Sequence, residues 1–281
     1  MNPLVSVIVP TCNRPAMLRE CLRSIAQQTY GNIEIVIVND GGASVREMVS
    51  SLELGRNVQF IDHEVRKGPA AARNNGIKAA KGGYIAYLDD DDVYYPDHIS
   101  ELINLLENHR YSVVYSDAVK VLQYKSDGEY RTKESENMHS SDFDAEKLLV
   151  SNYIPVICVS HSKDCVENIG YFNENLFTHE DWDFFIRLSS MYQFGHLCKI
   201  TCEYRFKLDD SSATTKKRAD FIKTARQIHL KYRNLIPNRS LFLKQKIFIA
   251  KQSVLLLLWR ILMAQENLTG RKYLKIRKYL L

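Results

Sequence analysis

The stretch Tyr84-Ile-Ala-Tyr-Leu-Asp-Asp-Asp-Asp-Val93 decides the fold, because a short apolar run ends there in four consecutive carboxylates. The run from Tyr84 to Leu88 predicts a buried strand. Four adjacent carboxylates repel one another, and a folded protein tolerates them only where water or a cation compensates their charge. Oxygen ligands at a strand end suit Mg²⁺ or Mn²⁺ bound together with the phosphates of a substrate. The alternative is a solvated turn that caps the next helix, since Pro96 suits a first helical position.

Strand-like and helix-like segments alternate ahead of this stretch. Apolar runs at 4–9, 33–38 and 58–61 predict strands, and helical spacing or composition predicts helices from 15, over about 43–53 and over 69–81. This alternation predicts an α/β fold with a parallel sheet covered by helices.

Polar residues follow three of the predicted strands: Thr11 and Asn13, then Asp40, then the acidic run (residues 89–92). Ligands bind beyond the carboxyl ends of strands in such sheets, so this edge predicts a nucleotide site. The chain has no GxGxxG after the first strand and no GxxxxGK[ST], which argues against a dehydrogenase and a P-loop protein.

The charge distribution divides the chain of 281 residues. Residues 211–281 hold 17 Lys and Arg against two acidic residues, whereas the first 210 hold 21 against 31. A basic segment of this kind usually meets an anionic partner. The six cysteines show no zinc spacing, and we expect reduced thiols, no signal peptide and a cytoplasmic protein.

Five motifs occur in a fixed order over about residues 4–210. They are Ser6-Val-Ile-Val-Pro-Thr-Cys-Asn-Arg14, Val38-Asn-Asp-Gly41, Ala72-Arg-Asn-Asn-Gly-Ile77, the segment 84–92, and Glu180-Asp-Trp-Asp-Phe-Phe-Ile-Arg-Leu188. Together they resemble the family 2 glycosyltransferases. The resemblance implies a GT-A fold (Rossmann-like, with a mostly parallel sheet), a nucleotide-sugar donor, a divalent metal (Mn²⁺ or Mg²⁺) and inversion at the anomeric carbon. It implies a catalytic domain over 1–210, with a nucleotide-sugar half at about 1–95 and an acceptor half at about 96–210, before a helical extension over 211–281.

The resemblance also implies roles for the acidic run. Asp91 is the principal metal ligand, with Asp89 as a second ligand. Asp89 or Asp90 hydrogen-bonds the ribose, although the register of the run is ambiguous by one residue. For Asp92 we favour a structural role as the cap of the helix from Pro96.

The remaining nucleotide contacts come from other strand ends. By resemblance, Asp40 accepts a hydrogen bond from the uracil imide or the ribose, the alternative being a turn before Gly41. Arg73 lies near the start of a helix, where it faces a phosphate or a solvated helix surface. The base pocket is shaped by Pro10, Thr11 and Asn13, and we expect Arg14 at the surface.

An inverting transfer needs a base that takes the proton of the acceptor hydroxyl. The resemblance places the catalytic carboxylate at Asp181, at the start of a helix with an apolar face. The alternative for Asp181 is a helix N-cap. Glu180 is a secondary candidate that positions the acceptor, and Trp182 packs in the core or stacks on a sugar.

One position departs from the family pattern. The family often has Arg-x-His after the last strand of the domain, whereas this chain has Tyr204-Arg-Phe-Lys207. Lys207 can contact a diphosphate as a point charge, but it cannot replace a neutral histidine as a metal ligand.

Basic helices follow the catalytic domain. A basic helix with Trp and Leu fits an anionic membrane surface, and the alternative is packing on the catalytic domain or a second subunit in a homo-oligomer. Nucleic acid is disfavoured because no recognition fold accompanies the charge. The apolar run at 254–259, between Lys251 and Arg260, is too short to span a membrane.

These features predict transfer from a nucleotide-sugar, with UDP as the nucleotide, to a glycan or lipid-linked acceptor in cell-surface polysaccharide synthesis. We expect the enzyme in the cytoplasm or at the inner face of the membrane. The alternatives are a nucleotidyltransferase acting on sugar phosphates and a non-catalytic subunit of a membrane assembly.

Overall fold

The central sheet contains nine strands within residues 2–126, 129–138, 141–176, 178–208 and 218–269, the part of the chain that the computed structural model describes. The strands are β1 (Val5–Thr11), β2 (Ile33–Asp40), β3 (Asn57–His63), β4 (Tyr84–Tyr87), β5 (Val93–Tyr94), β6 (Val113–Ser126), β7 (Glu129–Met138), β8 (Val159–Ser162) and β9 (Phe194–Lys207). Their order is β3-β2-β1-β4-β8-β6-β9-β5, and β7 pairs with β6.

The helices flank this sheet. They are α1 (Pro15–Ala26), α2 (Arg46–Ser50), α3 (Pro69–Ala79), α4 (His98–Asn108), α5 (Ala145–Val150), α6 (Asp164–Ile169), α7 (Glu180–Ser189), α8 (Arg218–Lys231) and α9 (Arg239–Thr269), with 3-10 turns at Val156–Cys158 and Arg233–Leu235. The predicted α/β alternation over the first 90 residues is confirmed, although α2 is shorter than the helix expected over 43–53.

The first half of the sheet is parallel. Strands β3, β2, β1 and β4 pair in parallel, and every residue of β2 is buried. Strands covered on both faces read as continuous apolar runs, which is why β1, β2 and β4 were recognisable in the sequence, whereas β3 at the sheet edge is half-buried. Their common direction places Thr11, Asp40 and the acidic run at one edge.

A close contact fixes α3 on this half. A Cβ atom at Gly76 would lie 2.4 Å from Cγ2 of Ile8, so only glycine allows α3 to approach β1 this closely. The buried alanines 70–72 continue the contact surface. Arg73 is thereby carried to the strand ends on a rigidly packed helix.

The second half of the sheet is mixed. Over the whole sheet, four strand pairings are parallel and four are antiparallel among the described residues. Each antiparallel pair includes a strand that follows the acidic run in the sequence. The sheet is therefore less parallel than we expected, because β6 forms a hairpin with β7, and β8 runs antiparallel to both β4 and β6. The pairing of β5 with β9 brings the end of β9 beside the acidic run.

Helix α4 begins at His98 rather than at Pro96, and Asp97 occupies its N-cap position. The expected capping role of Asp92 is wrong, because β5 separates this residue from the helix. Its Oδ1 instead accepts a hydrogen bond from the backbone N–H of Arg205, 2.7 Å away.

The C-terminal helices pack on the catalytic domain. Helix α9 contacts α8 and α5, and its Trp259 and Leu262 are buried. By length and composition alone, Arg239–Glu266 could cross a membrane. From the sequence we expected no segment long enough to span a membrane, because we considered only the uninterrupted apolar run between Lys251 and Arg260. The predicted domain boundary at 210 lies outside the described residues.

Candidate active site

Each carboxylate of the acidic run has its own partner from the protein. Asp89 pairs with Arg73 at 2.7 Å, Asp90 accepts from Thr11 Oγ1 at 2.7 Å, Asp91 pairs with Lys207 at 2.5 Å, and Asp92 accepts from the backbone of Arg205. The alternative of a solvated turn is wrong, because Asp90 and Asp92 are buried. The compensating charge comes from α3 and β9.

Arg14 is a further partner of the run that we expected at the surface. Its guanidinium lies 2.6 Å from Asp90 Oδ1 and donates to Asp91 Oδ2 at 2.8 Å. Asn13, with φ of 55°, turns the chain after β1 and leads Arg14 onto the carboxylates. The need of four carboxylates for a nearby cation was the signal that could have identified it.

Burial changes the protonation of two members of the run. It raises the pKa of Asp90 to about 7, against the opposing effect of Arg14, and it raises the pKa of Asp92. A fully ionised run is therefore disfavoured. The buried carboxylate of Asp90 contacts Thr11 and Arg14, and Thr11 is itself 2% exposed. Nucleotide contact by Asp90 and by Thr11 stays a prediction.

Asp89 and Asp91 are the open members of the run, with side chains 29% and 20% exposed. Each uses one oxygen in an ion pair, and the structure shows no hydrogen bond from a described residue to Asp89 Oδ2 or Asp91 Oδ1. No group of three metal-binding side chains occurs in the described ranges. Two carboxylates completed by phosphate oxygens and water suit Mg²⁺ or Mn²⁺, so these residues fit a divalent ion bound together with a diphosphate.

Arg73 joins the acidic run to α7. Its guanidinium donates to Asp89 Oδ1 at 2.7 Å and to Glu180 Oε1 at 2.6 Å, and the residue is 3% exposed. The alternative of a solvated helix face is therefore wrong. Burial opposes its charge, but Asp89 and Glu180 raise the pKa of Arg73 and keep it protonated. Its Nε has no hydrogen-bond partner among the described residues.

Asp181 lies on the first turn of α7. Its Oδ1 accepts from the backbone N–H of Trp182 at 2.7 Å, and its Oδ2 accepts from Asn152 Nδ2 at 3.0 Å. His179 occupies the N-cap position, so Asp181 is not the cap. Burial, together with the charge of Glu180, raises the pKa of Asp181 to about 7. A carboxylate with this pKa is suited to general base catalysis near neutral pH.

Trp182 belongs to the core. It is fully buried, and its Nε1 donates to the carbonyl oxygen of Leu148 at 2.6 Å. A stacking role on a sugar is therefore wrong for Trp182. Asn152, which orients Asp181, lies in an irregular segment after α5 with no motif that could have identified it.

Helix α8 fixes the start of α7. The Oγ1 of Thr224 is 2.8 Å from His179 Nδ1, and Phe221 packs on the same ring. Burial lowers the pKa of His179 to about 3, so the ring is neutral. His179 adopts the left-handed conformation, with φ of 62°, directly before Glu180. The C-terminal extension therefore positions the helix that carries Asp181.

Asp183 is the second connection between α7 and α8. It is fully buried, and its carboxylate pairs with Arg187 at 3.0 Å and Lys231 at 2.5 Å and accepts from Tyr232 Oη at 2.9 Å. We expected no role for this residue from the sequence.

Replacing Asp183 with asparagine is expected to lower the free energy of unfolding by about 3 kcal/mol, since the cations lose their buried counter-charge. Urea unfolding followed by circular dichroism measures this change. The matched control is Asp62→Asn, whose pair with Arg46 is exposed and is expected to contribute less than about 1 kcal/mol. Equal effects of the two substitutions would contradict the structural role of Asp183.

Asp40 organises the turn before α3. It is 5% exposed and accepts from the backbone N–H groups of Lys67 and Gly68 at 2.7 and 2.8 Å. Asn75 Nδ2 donates to His63 Nε2, so the ring hydrogen lies on Nδ1 and is donated to Asp40. Contact with a nucleobase stays a prediction for Asp40, as it does for the neighbouring Pro10 and Asn13.

Asn74 connects α3 to the segment 170–176 before α7. Its Oδ1 accepts from the backbone of Phe172, and its Nδ2 donates to Glu174 Oε1. His161 is buried against Tyr87 and is structural, whereas His139 lies outside the described residues.

The comparison with known families decides the assignment. Residues 6–165 match the family model "Glycosyl transferase family 2". The chain belongs to glycosyltransferase family 2. The uncharacterized glycosyltransferase YwdF of Bacillus subtilis is 34% identical over 203 residues, which cover 72% of this chain and 74% of YwdF. The uncharacterized glycosyltransferase RP339 of Rickettsia prowazekii is also 34% identical, over 69% of this chain and 62% of its own length.

Solved structures of glycosyltransferases have the same fold. S. aureus TarS 1-349 in complex with UDP matches with a TM-score of 0.62 and 22% identity, over 80% of this chain and 64% of that one. The mannosyltransferase PcManGT of Pyrobaculum calidifontis, in complex with GDP-Man and Mn²⁺, matches with a TM-score of 0.63 and 16% identity, over 98% and 78%. The GT-A fold expected for this family 2 glycosyltransferase is confirmed.

Proposed function

We propose that this family 2 enzyme transfers a sugar, with inversion, from a nucleotide-sugar to a hydroxyl group of a glycan or lipid-linked acceptor. The observation that carries the proposal is the contact of Arg73 with both Asp89 and Glu180. Arg73 thus connects the sheet edge that carries the acidic run, which suits a diphosphate, to the helix that carries Asp181. The raised pKa of Asp181 suits a general base.

The proposed reaction is a single displacement. The acceptor oxygen forms a bond to the anomeric carbon as the bond from that carbon to the diphosphate oxygen breaks. The nucleoside diphosphate leaves with the electron pair, and Asp181 takes the proton of the acceptor hydroxyl. Glu180, held by Arg73, positions the acceptor side of the site.

Lys207, Arg14 and Arg73 supply the positive charge around the acidic run. Lys207 is 2% exposed, and its ammonium lies beside Asp91, where it would contact a diphosphate oxygen. A divalent ion held by Asp89 and Asp91 would stabilise negative charge on the leaving phosphates when bound. UDP is the proposed nucleotide, supported by the structural likeness to TarS with UDP.

The proposed acceptor belongs to cell-surface polysaccharide synthesis, and the proposed location is the cytoplasm or the inner face of the membrane. The support is the apolar and basic α9, which suits an enzyme that works on an acceptor carried by a lipid.

Isothermal titration with UDP in Mn²⁺ and in EDTA tests the diphosphate site. Asp91→Asn is expected to remove the difference between the two conditions. Lys207→Met is expected to weaken UDP binding about tenfold or more in both, because one charge-assisted hydrogen bond is lost. The control is Lys199→Met on the same strand, since Lys199 pairs with Asp97 and Glu101.

Unchanged UDP affinity in Lys207→Met would show that this lysine does not contact the diphosphate. If Mn²⁺ still changes UDP affinity in Asp91→Asn, Asp91 is not the principal metal ligand. Circular dichroism of each variant establishes that the fold is retained.

A further inference from the structure

An apolar stripe runs along the outward face of α9. It consists of Leu243, Ile247, Val254, Leu258 and Ile261, each 44–59% exposed. Spacings of three, four or seven residues place these side chains on one face of the helix. A contiguous exposed apolar surface of this kind marks a binding site on a soluble protein.

The opposite face of α9 packs on the catalytic domain. Phe248 packs edge-on against Trp182, and Gln245 Nε2 donates to the carbonyl oxygen of Leu149 on α5 at 2.7 Å. The stripe therefore faces away from these contacts.

Basic residues lie on both sides of the stripe. Each step along a helix turns by about 100°, so Lys244 after Leu243 lies on one side, and Lys246 before Ile247 lies on the other. By the same geometry Lys251 falls on the first side and Arg260 on the second. All four are exposed. Long basic side chains beside an apolar face place their charges at the height of lipid head groups.

We propose that α9 lies in the plane of a membrane surface rich in anionic lipid, with the apolar stripe inserted among the acyl chains. The segment from Arg239 to Gln265 contains no acidic residue. A second copy of this helix would therefore set basic rows against basic rows, whereas anionic lipid complements them.

A groove beside the stripe has the same chemistry. It lies between α8 and α9, has a volume of about 470 Å³ and combines Lys223 and Arg226 with Ile222, Leu230 and Leu256. Two cations next to apolar side chains suit the head group and acyl chain of one anionic lipid.

An in-plane position fits α9 better than a transmembrane one. Spanning would withdraw Gln245 and Phe248 from their contacts with Leu149 and Trp182, and it would place Lys251 and Arg260 in hydrocarbon, where charged side chains are disfavoured. An in-plane helix keeps both the packed face and the charged flanks. This surface goes beyond the proposed transfer reaction, and lipid binding does not depend on that reaction.

Flotation of the full chain with vesicles tests the proposal. The protein is expected to float with vesicles of phosphatidylcholine and phosphatidylglycerol, to remain in solution with phosphatidylcholine alone and to be released by high salt. The triple variant Lys244→Gln, Lys246→Gln and Lys251→Gln is expected to bind about 100-fold more weakly, since each lysine contributes about fivefold. The stripe variant Ile247→Gln and Leu258→Gln is expected to lose at least about tenfold.

The matched control is Val65→Gln with Met191→Gln, two exposed apolar residues of the catalytic domain. Vesicle binding by this control is expected to equal wild type. Failure of the wild-type chain to float, equal binding to neutral vesicles, or retention after alkaline carbonate extraction would each overturn the proposal. A dimer in light scattering that the stripe variant abolishes, without flotation of the wild type, would assign the stripe to a second copy instead. Hydrolysis of nucleotide-sugar, measured on the same samples, separates this outcome from failure of the proposed function.

Discussion

Asp181→Asn is expected to lower kcat about 1000-fold while the affinity for the nucleotide-sugar changes less than about threefold, because a general base contributes to the transfer step and not to donor binding. The amide still accepts the hydrogen bond from the backbone of Trp182. It cannot accept a proton, and its NH₂ group, in the place of Oδ2, cannot accept the hydrogen bond that Asn152 Nδ2 donates.

The pH dependence of kcat identifies the base. With the pKa of Asp181 raised to about 7, wild-type kcat is expected to fall as the pH drops below 7, because the protonated carboxyl cannot accept a proton. The residual activity of Asp181→Asn should lack this dependence. Glu180→Gln is the matched control on the same turn. A larger loss in that variant, with the pH dependence removed, would transfer the role of base to Glu180.

Arg73→Met is expected to have the second large effect, on both stability and catalysis. It leaves Asp89 and Glu180 without their shared cation, and breaking a buried pair lowers the free energy of unfolding by about 3–5 kcal/mol. Donor affinity should fall as well, since the guanidinium adjoins the proposed diphosphate site. Urea unfolding and UDP titration measure the two effects.

Arg73→Lys separates charge from geometry. A single ammonium cannot donate to two carboxylates with the fixed fork of a guanidinium, so we expect partial recovery of stability and little recovery of turnover. The control Arg46→Met removes an exposed ion pair and is expected to change stability by less than about 1 kcal/mol. A wild-type unfolding midpoint for Arg73→Met would contradict the bridging role of Arg73.

The parallel half of the fold was predictable because β1, β2 and β4 are buried on both faces, read as apolar runs and end in polar residues. The acidic run was recognisable for the same reason. What the sequence could not show is which carboxylate is buried, since that depends on β9 pairing with β5. The expected capping role of Asp92 was therefore wrong, whereas nucleotide contact by Asp90 and ligand binding by the half-buried Asp89 and Asp91 stay predictions.

Residues that act across long sequence separations were the ones missed. Arg14 looked like a surface residue because its partner Asp91 lies 77 residues away. Asp183 falls within the fifth motif, but it had no expected role because Lys231 and Tyr232 lie 48 and 49 residues away. Helix α9 was ambiguous between packing and a membrane surface because it has both a packed face and an exposed apolar face. Only the fold separates the two faces.

Mass spectrometry of products from a panel of UDP-, GDP- and TDP-sugars, incubated with the full chain and Mn²⁺, tests the central claim most directly. We predict slow hydrolysis of one donor to a nucleoside diphosphate and free sugar, with water replacing the acceptor, and loss of this hydrolysis in Asp181→Asn. Release of pyrophosphate from a nucleoside triphosphate and a sugar phosphate, with no donor hydrolysed, would contradict the account.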